Sequence, residues 1–362
     1  MSAAEFTNSR EDIERLLASK GPPTIFNPSK SLTTGCAVCD TKETLSRCGA
    51  CKVVQYCGRD HQISDRSAHK SFCNRIKKAQ VALDDEEQKL RAHPGDLMTP
   101  PNIFEEGVGH FWGIHKTRPY MRARFALVEA QLKINTPQAV ESGLYHLIDM
   151  LRLCRGDNMG VRDLVPALFL RLGRDQEAYD FLKWWVTTGQ ESDYDWGDID
   201  LGYLDVKDAD VFESVDVFAK DCPSLSHLVA VTLLKIRLLI DLQALQRSHS
   251  VGEHAAQEIL DNTREHCVSS IISGNRLILD RQDQTPYIKS LEKQVKQLYV
   301  AVKKHNKYFW PALLNPGDNL TARPNMYGFG DPSQMQLMLQ YNYNSWAETS
   351  RAIETIEELS KK

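Results

Sequence analysis

A chain of 362 residues with a formal net charge of -4, 42% hydrophobic and 25% charged residues has the composition of a soluble globular protein of about two domains. Its opening, MSAAEFTNSREDIERLL, lacks the basic cap and apolar core of a signal peptide, and no apolar run is long enough to cross a bilayer, so secretion and membrane insertion are not expected. Nine cysteines in such a chain argue against a disulfide scaffold and for thiols kept reduced inside the cell, in nucleus or cytoplasm.

Residues 1–35 read as an N-terminal segment. The chemistry begins after them, in GCAVCDTKETLSRCGACKVVQYCGRDHQISDRSAHKSFC, where six of the nine cysteines fall within residues 36–73. The spacing is Cys36-x2-Cys39, Cys48-x2-Cys51, Cys57-x3-His61 and His69-x3-Cys73. Two ligands separated by two or three residues reach one ion from a single turn, and a tetrahedral zinc takes four sulfur or nitrogen ligands. Eight ligands make two sites, so two zinc ions are expected. At His61 the reading has two competitors, a carboxylate from Asp60 or a surface imidazole, but its spacing puts it one helical turn from Cys57. Spacing leaves open whether the pairs combine in sequence or interleave. Too few apolar residues lie in this segment to build a core, so metal ligation must supply the folding free energy, about 10–16 kcal/mol per structural site. Four protein ligands at each ion leave no open position for an activated water.

These residues resemble the MYND-type zinc fingers, through the two C-x2-C pairs, Tyr56-Cys57, His61-Gln62 and His69-x3-Cys73. The resemblance implies interleaved ligation, with Cys36, Cys39, Cys57 and His61 on one zinc and Cys48, Cys51, His69 and Cys73 on the other. It also implies protein partners, short proline- and leucine-containing peptides received near Gln62 and Arg66. Two departures stand out: His61 replaces the usual cysteine, and Arg66 occupies a position where the family tends to carry tryptophan. Exchanging an indole for a guanidinium favours a more acidic ligand; the competing reading makes Arg66 a solvated helix residue.

Residues 74–118 read as a polar helix, NRIKKAQVALDDEEQKLRAH, followed by a proline- and glycine-rich linker whose second half is anchored by Phe111, Trp112 and Ile114. Residues 119–362 then show helical periodicity. YMRARFALVEAQLKI and PQAVESGLYHLIDMLRLC form one helix pair, with Thr136-Pro137 as the start signal of the second. NMGVRDLVPALFLRLGRDQEAYDFLKWWV repeats the plan, Leu172-Gly173 ending one helix and Ala178 opening the packed face of the next. A third pair is expected over 225–246 and 251–267, a long helix over 286–307, and capping helices at the end. LSHLVAVTLLKIRLLIDLQAL reads as amphipathic because of Lys235, Arg237 and Asp241. The expected fold is therefore a zinc-stabilised finger joined to an all-α, tetratricopeptide-like helical-repeat domain.

An acidic insertion, residues 191–221, interrupts the helices with eleven carboxylates and the interleaved aromatics Tyr194, Trp196, Tyr203 and Phe212. Gly197 stands where a calcium loop needs an oxygen ligand, and the closing glutamate is absent, so an EF-hand is not expected. The segment reads as a solvated loop anchored by its rings, or as a docking surface for a basic partner. Cys154, Cys222 and Cys267 read as small core residues, and His110 and His115 as structural.

The expected function is that of a non-enzymatic adaptor, the finger recognising peptide segments and the body docking a second protein, with transcriptional regulation as a candidate setting. Two other classes are weighed. A protein-lysine methyltransferase of the kind that carries such a finger in a SET domain needs an Asn-His-x-Cys segment and a glycine-rich turn, and Glu265-His266-Cys267 does not supply them. Nucleic-acid reading is not expected, because six zinc-bound thiolates offset the finger's basic excess and no base-reading helix follows the ligands.

Overall fold

A computed structural model describes residues 31–252, 267–324 and 326–361. The N-terminal expectations before residue 31, and most of the helix expected over 251–267, lie outside the described residues. A two-stranded antiparallel ribbon, β1 (Ser46–Arg47) and β2 (Gln55–Tyr56), pairs Ser46 with Tyr56 and Arg47 with Gln55. Two helices follow, α1 (Arg59–Ser64) and α2 (Arg66–Arg91). The buried positions of α2 are Cys73, Ile76, Leu83 and Leu90, a narrow stripe that lets one straight helix carry finger residues at its start and pack along the body further on.

The segment after α2 is packed rather than extended. It contains α3 (Ile103–Glu106) and two 3-10 turns, and Phe104, Phe111 and Tyr120 meet with ring centroids 5.2 to 5.9 Å apart. The body continues with α4 (Arg118–Gln131), α5 (Pro137–Leu153), α6 (Val165–Arg171) and α7 (Asp175–Val186), each packed on its predecessor. Thr136 caps α5 by accepting the Ala139 N–H, and Pro137 occupies the first turn, where a missing N–H costs nothing. Gly143 lets α4 and α5 close up, since a Cβ there would lie 3.1 Å from the Leu132 side chain.

Next come α8 (Asp216–Asp221) and the long α9 (Leu225–Gly252), then α10 (Ser270–Ser273), α11 (Arg276–Leu279), α12 (Thr285–His305), α13 (Phe309–Leu314), α14 (Pro332–Ala347) and α15 (Ala352–Ser360). Helix α9 departs from the amphipathic expectation. From Leu225 to Leu242 it is buried on all sides, because α6, α7, α12, α14 and α15 all pack against it. Its three interior charges, Lys235, Arg237 and Asp241, are buried and bonded instead of facing water. Arg237 donates to Asp175 (3.1 Å), to the Leu170 carbonyl at the end of α6 (3.1 Å) and to the Val268 carbonyl (2.7 Å). Asp241 accepts from the Val268 and Ser269 N–H groups at 2.8 and 2.7 Å, and Lys235 donates to the Val211 and Glu213 carbonyls.

A solenoid confines contacts to neighbouring repeats. That holds from α4 to α7, but α14 returns to pack on α6, and Arg171 forks onto Glu348 at 2.8 to 3.1 Å. The molecule is a finger on a predominantly helical, folded-back body, and a tetratricopeptide-like repeat is not confirmed.

The acidic insertion is held by its backbone and rings. Tyr194, Trp196 and Tyr203 surround the buried Trp184, Arg155 donates to the carbonyls of Asp198, Ile199 and Leu201, and Asp180 accepts from the N–H groups of Asp208 and Ala209. Nearly all its carboxylates point to solvent. No helix among the described residues is long and apolar enough to cross a membrane.

Candidate metal centre

Both C-x2-C pairs sit on tight knuckles of the same design. In the first, the Asp40 N–H donates to the Cys36 carbonyl (3.0 Å) and the Cys36 N–H to Thr41 (2.8 Å). In the second, the Lys52 N–H donates to the Cys48 carbonyl (2.9 Å) and the Cys48 N–H to Val54 (2.8 Å). The residue after each second cysteine is left-handed, with φ of 56° at Asp40 and 61° at Lys52, which reverses the chain so that two sulfurs converge. Gly35 is required for the first knuckle: a Cβ would stand 2.4 Å from the Asp40 carbonyl oxygen. Cys57 follows β2, His61 lies on α1, and His69 and Cys73 lie one turn apart on α2. The Tyr56 hydroxyl donates to Asp65 (2.7 Å) and locks the corner between the two helices.

The folding gathers the eight side chains into two groups, Cys36, Cys39, Cys57 and His61 in one and Cys48, Cys51, His69 and Cys73 in the other, with all ligand atoms of a group within 4.8 Å of one another. A tetrahedral zinc with ordinary bond lengths separates two sulfurs by about 3.8 Å and a sulfur from a nitrogen by about 3.5 Å. Observed separations are 3.6 Å for Cys39 to Cys57, 3.7 Å for Cys48 to Cys73, and 3.5 Å both for Cys36 to His61 Nδ1 and for Cys51 to His69 Nε2. Cys57 lies closer to His61 Nδ1, at 3.0 Å. The clusters fit two zinc ions in the interleaved arrangement. No third group of metal-ligating side chains gathers among the described residues, the acidic insertion included.

Electrostatics point the same way. Burial opposes ionisation of Cys36, but the N–H groups of Val38, Cys57 and Cys39 overcome it and lower the thiol to about 6. At Cys48 burial is likewise overcome, by the N–H groups of Cys51 and Ala50 and then by His69 and Cys73, and the thiol again falls to about 6. Thiolate is the form that binds metal. Burial first, and then the neighbouring sulfurs, push Cys57 up to about 11 and Cys73 to about 12. The hydrogen bond to Cys51 raises His69 to about 9. A cluster that favours one thiolate and resists the next suits a dication, whose charge would offset the repulsion between the sulfurs and favour their thiolate forms.

Gln62, on α1, and Arg66, at the start of α2, are both exposed. Cys154 and Cys222 are buried and Cys267 is half-buried, and the His110 Nε2 lies 3.0 Å from the Gly197 carbonyl. Sequence reasoning read Thr136 only as a helix start. Its hydroxyl both caps α5 and donates to the Val53 carbonyl of the second knuckle at 2.7 Å. Beside it Gln138 donates to Gln55 (3.0 Å), and the Thr33 N–H donates to the Asn135 carbonyl (3.1 Å). Only the capping half of this role has a sequence signal.

Residues 36–73 match the family model for the MYND finger. No curated protein and no solved structure matches the chain. The paired knuckles, the two interleaved Cys/His clusters and the family match agree that residues 36–73 are a zinc-binding MYND finger, carried here on a predominantly helical body.

Proposed function

We propose that the protein is a non-enzymatic, intracellular adaptor whose finger receives a peptide segment near Gln62 and Arg66 while the helical body docks a second protein. MYND fingers are generally protein-interaction modules. The observation that carries the reading is the closure of both ligand shells: each cluster supplies four protein ligands, so the metal's work is to hold a surface and not to activate water. On that surface Gln62 and Arg66 are exposed and four residues apart, on the helical corner locked by Tyr56 and Asp65. A guanidinium offers a fork of donors to carboxylates and still stacks on rings, which favours a proline-containing segment with a nearby Asp or Glu. The exposed carboxylates of residues 191–221 make that face the natural docking surface for a basic second partner, in transcriptional regulation or elsewhere in nucleus or cytoplasm.

Peptide arrays probed with the native finger, Arg66→Trp and Arg66→Glu test the reading. Arg66→Trp is expected to move preference toward apolar proline-leucine peptides, and Arg66→Glu to abolish acidic-peptide binding with zinc content unchanged. Identical profiles for all three would reduce Arg66 to a solvated helix residue. Saturable binding of a methyl donor in calorimetry would overturn the non-enzymatic reading.

A further inference from the structure

The finger and the body enclose a groove of about 470 Å³. One wall is β1 with the second knuckle, supplying Arg47 and Lys52; the other is α5, supplying Gln138 and Tyr145, with Gln80 of α2 and Gln131 of α4 also lining it. Neither Gln62 nor Arg66 lines this groove. We infer that it is a second binding site, which takes an extended peptide segment through main-chain hydrogen bonds and an acidic side chain.

Gln131 is only 5% exposed, and its Oε1 accepts no hydrogen bond. A buried acceptor left unmatched costs about 1–3 kcal/mol, and the N–H of a bound segment would answer it. Among the described residues neither Arg47 nor Lys52 has a carboxylate within ion-pair distance. Glu141 on the opposite wall acts on Arg174. The finger wall therefore presents two cations without a carboxylate partner, complementary to Asp or Glu. The Tyr145 ring is 67% exposed and open to packing by a ligand side chain.

The polar groups also select against a bare anion. Carboxamides both donate and accept, so Gln80, Gln131 and Gln138 suit the alternating N–H and C=O groups of an extended chain. His146, which also lines the groove, accepts the Arg124 Nε–H at Nδ1 (3.2 Å) and so carries its proton on Nε2. Burial, then the Arg124 charge, holds its imidazole neutral down to about 4. A bare anion would satisfy the two cations and leave the Gln131 acceptor unmatched.

The test uses full-length, zinc-loaded protein and a pool of short labelled peptides pairing Asp or Glu with Leu, Phe or Pro, read by fluorescence anisotropy and mapped by amide hydrogen exchange. Binding is expected to protect residues 47–54 and 138–146 and to weaken as salt rises. Arg47→Glu and Tyr145→Ser, both at exposed positions, are expected to lose about tenfold or more in affinity, with zinc content and melting temperature unchanged. Should either variant fail to fold, Ser142→Trp, which fills the groove from α5, replaces it and is expected to block binding. The proposal is overturned if no peptide in the pool binds, if protection is confined to residues 59–66, if folded variants bind like the wild type, or if inorganic phosphate alone displaces the peptide completely.

Discussion

Replacing Thr136 by valine keeps the shape of the side chain and deletes a hydroxyl that serves two partners at once. The hydroxyl oxygen accepts the Ala139 N–H at 3.3 Å, and its proton goes to the Val53 carbonyl at 2.7 Å, in a residue 7% exposed. Losing the cap costs about 1 kcal/mol. Leaving the buried Val53 carbonyl without its donor costs a further ~1–3 kcal/mol, so Thr136→Val is expected to destabilise by about 2–4 kcal/mol in all, while Thr136→Ser, which keeps the hydroxyl, stays within about 0.5 kcal/mol of the wild type. The two halves separate on zinc removal. The cap belongs to the body, whereas the bridge needs a folded knuckle, so in chelator the cost should fall to the cap's ~1 kcal/mol. Denaturant unfolding with and without chelator measures the totals, and amide hydrogen exchange over residues 48–54 and 137–141 locates them. A Thr136→Val protein as stable as the wild type, or a cost that is the same with and without zinc, would refute the argument that this hydroxyl couples finger to body.

Two further outcomes follow from the geometry. Metal analysis of the purified protein should find about two zinc ions per chain; Cys48→Ser should lose one of them, with helical circular dichroism retained because Ile76, Leu83 and Leu90 still hold α2 against the body, and melting of the whole helical signal along with the metal would contradict this. Lys235 is fully buried, and burial lowers its ammonium from the ordinary 10.5 to about 7, against the weaker upward pull of Glu213 and Asp210. Below pH 7 both folded and unfolded chains carry the proton and the full cost of the buried charge is present. Between about 7 and 10.5 only the unfolded chain holds it, so this residue makes stability rise with pH by up to about 1.4 kcal/mol per unit. Lys235→Met should remove that rise, and equal slopes for the two proteins in pH-dependent denaturant unfolding would contradict it.

The ligand set of the finger was legible in the sequence because zinc ligation is a local affair: a spacing of two or three residues encodes a turn that brings two donors to one ion, and polar flanks exclude a buried core. Helix starts and stops were legible for the same reason, as at Thr136-Pro137 and Gly173, where the signal lies within a turn of the event. Which pairs share an ion was not. Spacing allowed sequential or interleaved sets, the family resemblance implied the second, and the clustering of Cys36 with His61 and Cys48 with Cys73 is made by the ribbon and the corner between α1 and α2. Lys235, Arg237 and Asp241 suggested a solvated stripe, yet the surrounding helices bury them, because a charge is tolerated inside when carbonyls and counter-ions 22 to 67 residues away in sequence meet it. The return of α14 to α6, the bond from Thr136 to Val53, and the groove that joins knuckle to α5 likewise depend on surfaces far apart in the chain. Local spacing determines what a side chain can bind. Packing decides which distant groups are near enough to be bound.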